Sequence, residues 1–153
     1  MALEWRKAEK DQLDALVELR LRVLRAANRL SQDTPMPEIA AATRSYYDQA
    51  LQDASCVILL VLNDGQIIST GSVCFYRVMP TCDVPNGQKA YIMSMYTEPE
   101  WRRQGLASET LRRLIDEAHQ RGIDWITLEA TDAGRPLYES MGFIPMMHEM
   151  VLL

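Results

Sequence analysis

The sequence contains no apolar run that approaches the ~20 residues a membrane-spanning helix requires. Its first residues, Met-Ala-Leu-Glu-Trp-Arg-Lys, become charged at once, which is unlike the start of a secretory signal peptide. These two absences argue against a membrane protein and against a secreted one. We therefore expect a cytoplasmic protein with no membrane partner.

Cysteine and histidine are scarce, and neither is spaced as a metal ligand. The three cysteines, Cys56, Cys74 and Cys82, form no C-x-x-C pair, and the two histidines, His119 and His148, lie far apart. This pattern indicates reduced thiols in a reducing compartment and predicts that the protein holds no metal. Cys74 and Cys82 have no evident activating partner, so a covalent intermediate on a thiol is not expected.

Positive charge is also in short supply. Sixteen Lys and Arg residues stand against 21 Asp and Glu residues, which leaves a formal net charge of −5. A phosphate backbone would repel a chain with this balance, so we expect no nucleic-acid partner. The 153 residues fit one domain of ordinary size, to which we assign residues 1–153.

Hydrophobic periodicity divides the chain into successive elements. Helical spacing of apolar residues predicts two helices in the first third, one that opens at Asp11 and one that follows Pro37. Apolar runs separated by turn residues then predict three antiparallel strands, after which Arg103 to Gly122 predicts an amphipathic crossover helix. The predicted strands cover residues 3–6, 56–62, 67–79, 90–97, 125–130 and 148–153, and a short helix covers 133–141.

This order of elements indicates the fold class. Mostly antiparallel strands followed by a strand–helix–strand crossover predict an α/β fold with a mixed, mostly antiparallel central sheet of six to seven strands. Helices are expected on both faces of that sheet.

The segment that carries the chemistry joins the predicted strand 90–97 to the crossover helix. It reads Tyr96-Thr-Glu-Pro-Glu-Trp-Arg-Arg-Gln-Gly-Leu-Ala-Ser108, with small residues close to the helix start. Unpaired backbone N–H groups and the helix dipole at such a start attract a phosphate. Arg102, Arg103 and Ser108 would add hydrogen bonds to it, and a charged surface loop is the alternative interpretation.

The segment is neither a Walker loop nor a dinucleotide-binding fingerprint. Instead, Arg102-Arg-Gln-Gly-Leu-Ala107 resembles the R-x-x-G-x-[GA] motif of the GCN5-related N-acetyltransferase (GNAT) superfamily. The strand Tyr91-Ile-Met-Ser-Met-Tyr-Thr97 looks like the central strand of that family, and Leu137-Tyr-Glu-Ser-Met-Gly-Phe143 looks like its L-Y-x-x-x-G-F ending. The N-terminal half resembles the family in architecture only.

The resemblance implies a GNAT fold and the transfer of an acetyl group from acetyl-CoA to a primary amine, by direct attack in a ternary complex. It implies that the backbone from Arg103 to Ser108 cradles the pyrophosphate, while the pantetheine pairs like a strand along Met95 to Thr97. The cofactor-binding residues implied are Met95, Tyr96, Thr97, Arg102, Arg103, Gln104, Gly105, Leu106, Ala107 and Ser108. The acceptor stays open between a small amine, an amino acid, an antibiotic, and the N-terminus or a lysine of a peptide.

Two departures from the family pattern affect the site. Thr131-Asp132 stands where the family often has an asparagine after its fifth strand, and few residues follow Phe143 for the usual final hairpin. The short final segment would leave one wall of the acceptor pocket incomplete. We expect a second copy of the chain to complete it, as a homodimer.

Aminolysis of a thioester needs a base, because only about one lysine-like amine in 2,500 is neutral at pH 7. Glu98 is the first candidate and Glu129 the second, and either is able to act through a water molecule. A solvated loop, or an ion pair to Arg102 or Arg103, is the alternative role of Glu98. Tyr138 matches the tyrosine of L-Y-x-x-x-G-F and is implied to protonate the departing thiolate.

Two functions of another class also fit parts of the sequence. A non-catalytic acyl-CoA-binding sensor would need the helix start but no acid, and Tyr138 in the matching place argues against it. A scaffold that binds a protein partner through the two N-terminal helices would have no nucleotide affinity at all.

Overall fold

The structure is a computed structural model that describes residues 2–153. Strands and helices alternate along this part of the chain much as the periodicity predicts. The strands are β1 (Leu3–Lys7), β2 (Cys56–Asn63), β3 (Gln66–Arg77), β4 (Gln88–Thr97) and β5 (Trp125–Leu128). The helices are α1 (Leu13–Ala27), α2 (Pro37–Asp53), α3 (Leu106–Gln120) and α4 (Arg135–Ser140), with single 3-10 turns at Lys10–Gln12 and Pro99–Trp101.

Strand β2 is buried on both faces, which explains its uninterrupted apolar sequence. On one face, Ile58 and Leu60 pack in a core formed with α1 and α2. On the other face, Val57 and Leu59 pack in a second core beneath α3. Helices therefore cover both faces of the sheet, as the order of elements predicts.

The sheet has the strand order β1-β2-β3-β4-β5. Neighbours are antiparallel from β1 to β4, while β5 lies parallel to β4 after the α3 crossover. The α/β class with a mixed, mostly antiparallel sheet is confirmed. The predicted count of six to seven strands is wrong, because the described residues form five. Residues 148–153 form no strand, since no neighbouring strand hydrogen-bonds to them and their side chains lie in solvent.

Strand β4 is paired with β5 along only part of its length. It pairs with β5 only from Lys89 to Ile92, so its last five residues have no hydrogen-bonded strand on that side. On its other side the register with β3 shifts between Thr70 and Ser72, and Ser94 takes a positive φ of 59°. This is a β-bulge, which bends a strand and redirects its side chains. The end of β4 therefore offers free backbone groups to a ligand.

Helix α3 is fixed over β3 and β4 by residues such as Leu111 and Leu114, which are fully buried. Gly71 of β3 permits this close approach, because a Cβ there would collide with Met95 Sδ and Thr110 Cγ2. The packing places the first turn of α3 beside the open end of β4. The end of β4 and the start of α3, which the sequence assigns to one site, are thus brought together.

Candidate active site

A cleft of about 790 Å³ lies between the open end of β4 and the elements around it. Its walls come from the last turns of α1, the end of β4, the loop and first turn of α3, and the segment that leads into α4. Clefts of this volume are typical of small-molecule and cofactor sites. The cleft is therefore the first candidate for a functional site.

One end of the cleft is formed by the start of α3. Gly105 precedes the helix with a φ of +80°, and Arg103 also has a positive φ, of 60°. No side chain caps the helix, so the backbone N–H groups of Leu106, Ala107 and Ser108 have no side-chain acceptor. A Cβ at Gly105 would meet nothing within 4 Å, which means that this position faces open space. The arrangement is a backbone anion site aided by the helix dipole.

The first turn of α3 also holds a carboxylate, Glu109, which would oppose a bound anion if it were unpaired. Its oxygens accept hydrogen bonds from Arg112 and Arg113, at distances of 2.7–3.0 Å. These two arginines, Arg112 above all, lower the pKa of Glu109 to about 2. The negative charge in this turn is therefore matched by positive charge on the same helix.

The two loop arginines have different surroundings. Arg102 Nε donates to the Thr97 carbonyl at 2.9 Å, and its guanidinium lies 5.8 Å from the centre of the Tyr96 ring. Arg102 therefore ties the loop to the end of β4 while it also lines the cleft. Arg103 lines the cleft as well.

Of the ten residues that the resemblance implies for cofactor binding, nine line this cleft. They are Met95, Tyr96, Thr97, Arg102, Arg103, Gly105, Leu106, Ala107 and Ser108. Gln104 is exposed and does not line it. Thr131 and Asp132, which depart from the family pattern, also lie in the cleft wall, and Thr131 Oγ1 accepts a hydrogen bond from the Gly134 N–H at 3.1 Å.

Tyr138 lies in the cleft wall on α4 with only 9% of its surface exposed. Its ring packs over Gly134, where a Cβ would come within 3.0 Å of Tyr138 Cε2, and stands edge-on to Phe143 at 6.1 Å between ring centres. Burial raises the pKa of the Tyr138 hydroxyl. The group therefore keeps its proton at neutral pH, which is the state a general acid requires.

Glu98 lies just beyond β4 but does not line the cleft. Its carboxylate accepts a hydrogen bond from Arg22 of α1 at 2.6 Å and lies 3.4 Å from the Tyr96 hydroxyl. The ion-pair partner is thus Arg22, and neither of the loop arginines considered from the sequence. The second candidate base, Glu129, lies one residue after β5 and is exposed. Burial raises the pKa of Tyr91, and the nearby Glu129 raises it further.

Comparison with known proteins decides the family. The family model of the acetyltransferase (GNAT) family matches residues 23–143. This chain belongs to the GNAT family. A predicted acetyltransferase from Clostridium acetobutylicum, solved with acetyl-CoA, has 32% sequence identity and a TM-score of 0.92, over 99% of this chain and 96% of that one. The resemblance inferred from the motifs is confirmed.

Two further relatives of this GNAT chain differ in how much they share. A GCN5-related N-acetyltransferase from Ralstonia eutropha JMP134 is 25% identical with a TM-score of 0.83, over 99% of this chain and 98% of that one. The [ribosomal protein bS18]-alanine N-acetyltransferase of Escherichia coli K12 is 38% identical over 58 residues, which are 36% of this chain and 39% of that protein. The second match therefore supports the family and not a shared acceptor.

This GNAT chain has a second pocket, of about 600 Å³, that the motifs do not indicate. We call it the tyrosine pocket, because four tyrosines share its wall with apolar, thiol and hydroxyl groups and one arginine. It is lined by Arg20, Ile39, Ala42, Thr43, Tyr46, Tyr47, Cys56, Ser72, Cys74, Tyr76, Tyr91, Met93 and Ser94. It lies between α1, α2 and strands β2 to β4.

Two thiols lie in the wall of the tyrosine pocket. Cys56 and Cys74 stand directly opposite each other on β2 and β3, and their Sγ atoms are 3.9 Å apart. The hydrogen bond with Cys56 lowers the pKa of the Cys74 thiol, although burial acts in the other direction. The expectation that Cys74 has no activating partner is therefore wrong. Both cysteines lie in predicted strands, but whether they face each other depends on the register of β2 and β3, which local turn chemistry does not determine.

Among residues 2–153, no group of three or more His, Cys, Asp or Glu side chains is arranged to hold a metal ion. Within the same residues, no helix combines the length and apolar character needed to cross a bilayer.

Proposed function

We propose that this GNAT chain is an N-acetyltransferase that moves the acetyl group of acetyl-CoA to a primary amine. The observation that carries the proposal is that three features line the same cleft. The unpaired end of β4, the uncapped start of α3 and the protonated hydroxyl of Tyr138 all line it. An anion site, a strand edge and an acid are the three features that binding a CoA thioester and expelling its thiolate require.

The residues of the cleft fit the chemistry of acetyl-CoA. The N–H groups from Arg103 to Ser108 would hold the pyrophosphate, because within residues 2–153 no side chain caps the start of α3. The free edge of β4 would pair with the amide groups of the pantetheine. The Thr97 carbonyl already accepts a hydrogen bond from Arg102 and the Tyr96 carbonyl accepts one from Ser69 Oγ, so Met95 is the more open part of that edge.

The reaction joins the amine nitrogen to the acetyl carbon and breaks the carbon–sulfur bond. The proton lost by the nitrogen goes to a base, and the thiolate that leaves takes the proton of the Tyr138 hydroxyl. Direct transfer in a ternary complex is supported by the position of the thiols, since no cysteine of the described chain lines the cleft. A thiol that carried the acetyl group would have to lie beside the thioester.

The base stays a proposal with two candidates. Glu98 lies next to the end of β4 and near the Tyr96 hydroxyl, but its pair with Arg22 has to open, or a water has to bridge, before it takes a proton. Glu129 lies beside Tyr91 of the tyrosine pocket. We propose Glu98 first and Glu129 second, because a base need only lie one water away from the amine.

A calorimetric titration with acetyl-CoA, CoA and NADH tests the cleft without a known acceptor. We expect both CoA compounds to bind and NADH not to bind. An amine screen followed by thiol release then separates an enzyme from a non-catalytic acyl-CoA sensor, which would bind but never turn over. Absence of CoA binding would refute the proposed function.

Tyr138→Phe tests the acid. The variant keeps the ring that packs on Gly134 and Phe143, so its melting temperature should stay within a few degrees. We expect kcat to fall by roughly 10²- to 10⁴-fold while the acetyl-CoA Kd changes little. A large loss of acetyl-CoA affinity would instead make Tyr138 a structural residue.

We also propose that the chain acts as a homodimer of single domains, residues 1–153. The final segment, residues 144–153, has large apolar side chains in solvent, with Met150 97% and Leu152 98% exposed. In the described residues, β5 has a strand neighbour on one side only. A segment that pairs with the free edge of β5 in a second copy would satisfy both features.

The dimer is tested by light scattering on the whole chain and on the double variant Met150→Glu, Leu152→Glu. We expect twice the chain mass for the first and one chain mass for the second. A monomeric parent protein would contradict the proposal.

We also propose a cytoplasmic location. It is supported by two free thiols, Cys56 and Cys74, that lie close enough to become linked in an oxidising compartment.

A further inference from the structure

The tyrosine pocket adjoins the acetyl-CoA cleft through one strand. Met93 and Ser94 of β4 line the pocket, and the next residues, Met95 and Tyr96, line the cleft. The change from one to the other occurs at the bulge, where Ser94 has its positive φ. A molecule in the pocket therefore lies beside the strand along which the pantetheine is proposed to bind.

The walls of the tyrosine pocket leave large apolar side chains uncovered. Ile39 is 44% exposed, Tyr46 46%, Tyr76 42% and Met93 36%. Side chains of this size are seldom clustered in solvent without a ligand or partner, and a concave site lined by them suits an apolar or aromatic body. The pocket volume of about 600 Å³ is in the range of small-molecule sites.

The lining of the tyrosine pocket contains one arginine. Arg20 of α1 lines it, is half-buried, and takes part in none of the ion pairs formed within residues 2–153. No Asp or Glu is among the lining residues. A guanidinium in such a place binds a carboxylate well, often through two parallel hydrogen bonds, whereas a polycation would be repelled.

A second polar group in the pocket also has no partner. Ser72 lines it and is only 4% exposed, and its Oγ atom is buried without a hydrogen bond in the described structure. Buried hydroxyl groups of this kind are uncommon in folded proteins, because burial without a hydrogen bond is unfavourable. If the Ser72 side chain turns toward the pocket, a polar atom of a ligand would supply the missing bond.

We infer that the tyrosine pocket binds the acceptor, and that the acceptor is a primary amine with a large apolar or aromatic body and a carboxylate. Arg20 binds the carboxylate, the tyrosines and Met93 cover the apolar body, and Ser72 bonds a polar atom of the ligand. An apolar or aromatic amino acid is the smallest molecule with all three groups. This inference rests on the proposed N-acetyltransferase function and gives it a substrate class.

The test compares three amines with acetyl-CoA by thiol release: L-phenylalanine, L-phenylalaninamide and spermidine. We expect phenylalanine to be acetylated with a higher kcat/KM than spermidine, which has no carboxylate and several positive charges. Arg20→Gln should lower kcat/KM for phenylalanine by roughly 10- to 100-fold, as the loss of a charge-assisted hydrogen bond does. The same variant should change phenylalaninamide by less than about threefold, because the amide has no charge for Arg20 to bind.

Two further variants separate binding from folding. Arg44→Gln removes an exposed arginine of α2 that pairs with Asp14 and lines neither site, so its kinetics with all three amines should match the parent protein. Ser72→Ala should raise the KM for phenylalanine, since it removes the hydroxyl proposed to bond the ligand. A merely structural Ser72 would leave that KM unchanged.

The outcomes distinguish this inference from the proposed function. If spermidine is acetylated and phenylalanine is not, or if Arg20→Gln affects both phenylalanine compounds equally, the substrate class is wrong while the N-acetyltransferase function stands. If acetyl-CoA binds but no amine is acetylated, the protein is a sensor and the substrate class is wrong with it. If acetyl-CoA does not bind, both are refuted.

Discussion

Two glycines at opposite ends of α3 allow the anion site to be tested against an internal control. Gly105 precedes the helix with a φ of +80°, and Gly122 follows it with a φ of +74°. A Cβ at either position would meet nothing within 4 Å. Replacement by alanine therefore imposes the same kind of backbone strain at both sites, but only Gly105 lines the cleft.

The expected losses of stability and of acetyl-CoA affinity follow from this geometry. An L-residue in the left-handed region costs about 1–2 kcal/mol, and the stiffer unfolded chain of the alanine variant offsets about 0.4–1 kcal/mol of it. The net loss of about 1 kcal/mol should lower the melting temperature by roughly 2–4 °C in either variant. At Gly105 the change also tilts or covers N–H groups that face the phosphates, and one lost charge-assisted hydrogen bond costs about 1.5–3 kcal/mol.

Calorimetry with acetyl-CoA should therefore give a Kd roughly 10- to 150-fold weaker for Gly105→Ala and an unchanged Kd for Gly122→Ala. Thermal unfolding should show similar losses of stability in both. Equal affinities in the two variants, with equal stability, would refute the placement of the pyrophosphate at the start of α3. An unstable Gly105→Ala beside a stable Gly122→Ala would mean that the loop conformation is needed for folding and not for binding.

Three other predictions concern Glu98, Cys74 and Gly71. Glu98→Gln should lower kcat by roughly 10²-fold, and an unchanged kcat would exclude Glu98 as the base. The lowered pKa of Cys74 should move the midpoint of its alkylation by iodoacetamide below the ~8.5 of a free thiol, and Cys56→Ser should move that midpoint upward. A midpoint at or above ~8.5 in the parent protein would contradict the thiol pair. Gly71→Ala should destabilise the fold by about 1–3 kcal/mol, because its Cβ would displace Met95, and a loss below ~0.5 kcal/mol would show that α3 shifts easily.

The anion site was predictable because its cause is local. A strand, a turn with Gly105 and an amphipathic helix follow each other within a short stretch, and the free N–H groups belong to every helix start. Tyr138 was found through a short motif whose spacing fixes one helical turn. What decides the role of Glu98, in contrast, is Arg22, which lies 76 positions away along the chain. Pairs of that kind depend on how helices pack on the sheet, and no local pattern predicts them.

The tyrosine pocket was missed for a related reason. The turn at Asp64 and Gly65 sets a register in which Asn63 stands opposite Gln66, and that register would place Cys56 opposite Val73. A shift between Val61 and Leu62 moves the pairing by one residue and brings Cys74 opposite Cys56 instead. Turn chemistry indicates that a hairpin forms, but it does not say where a bulge lies.

Strand β4 shows how one such shift separates two sites. In a regular strand Met93 and Met95 would share a face, since side chains alternate with a period of two. Because the bulge falls at Ser94, Met93 instead lies beside Cys74 in the tyrosine pocket, while Met95 packs in the core beneath α3 and lines the cleft. The same irregularity lies within the part of β4 that no longer pairs with β5. A single residue of positive φ thus stands where the strand passes from the proposed acceptor pocket to the proposed acetyl-CoA edge, which is where the amine and the thioester have to meet.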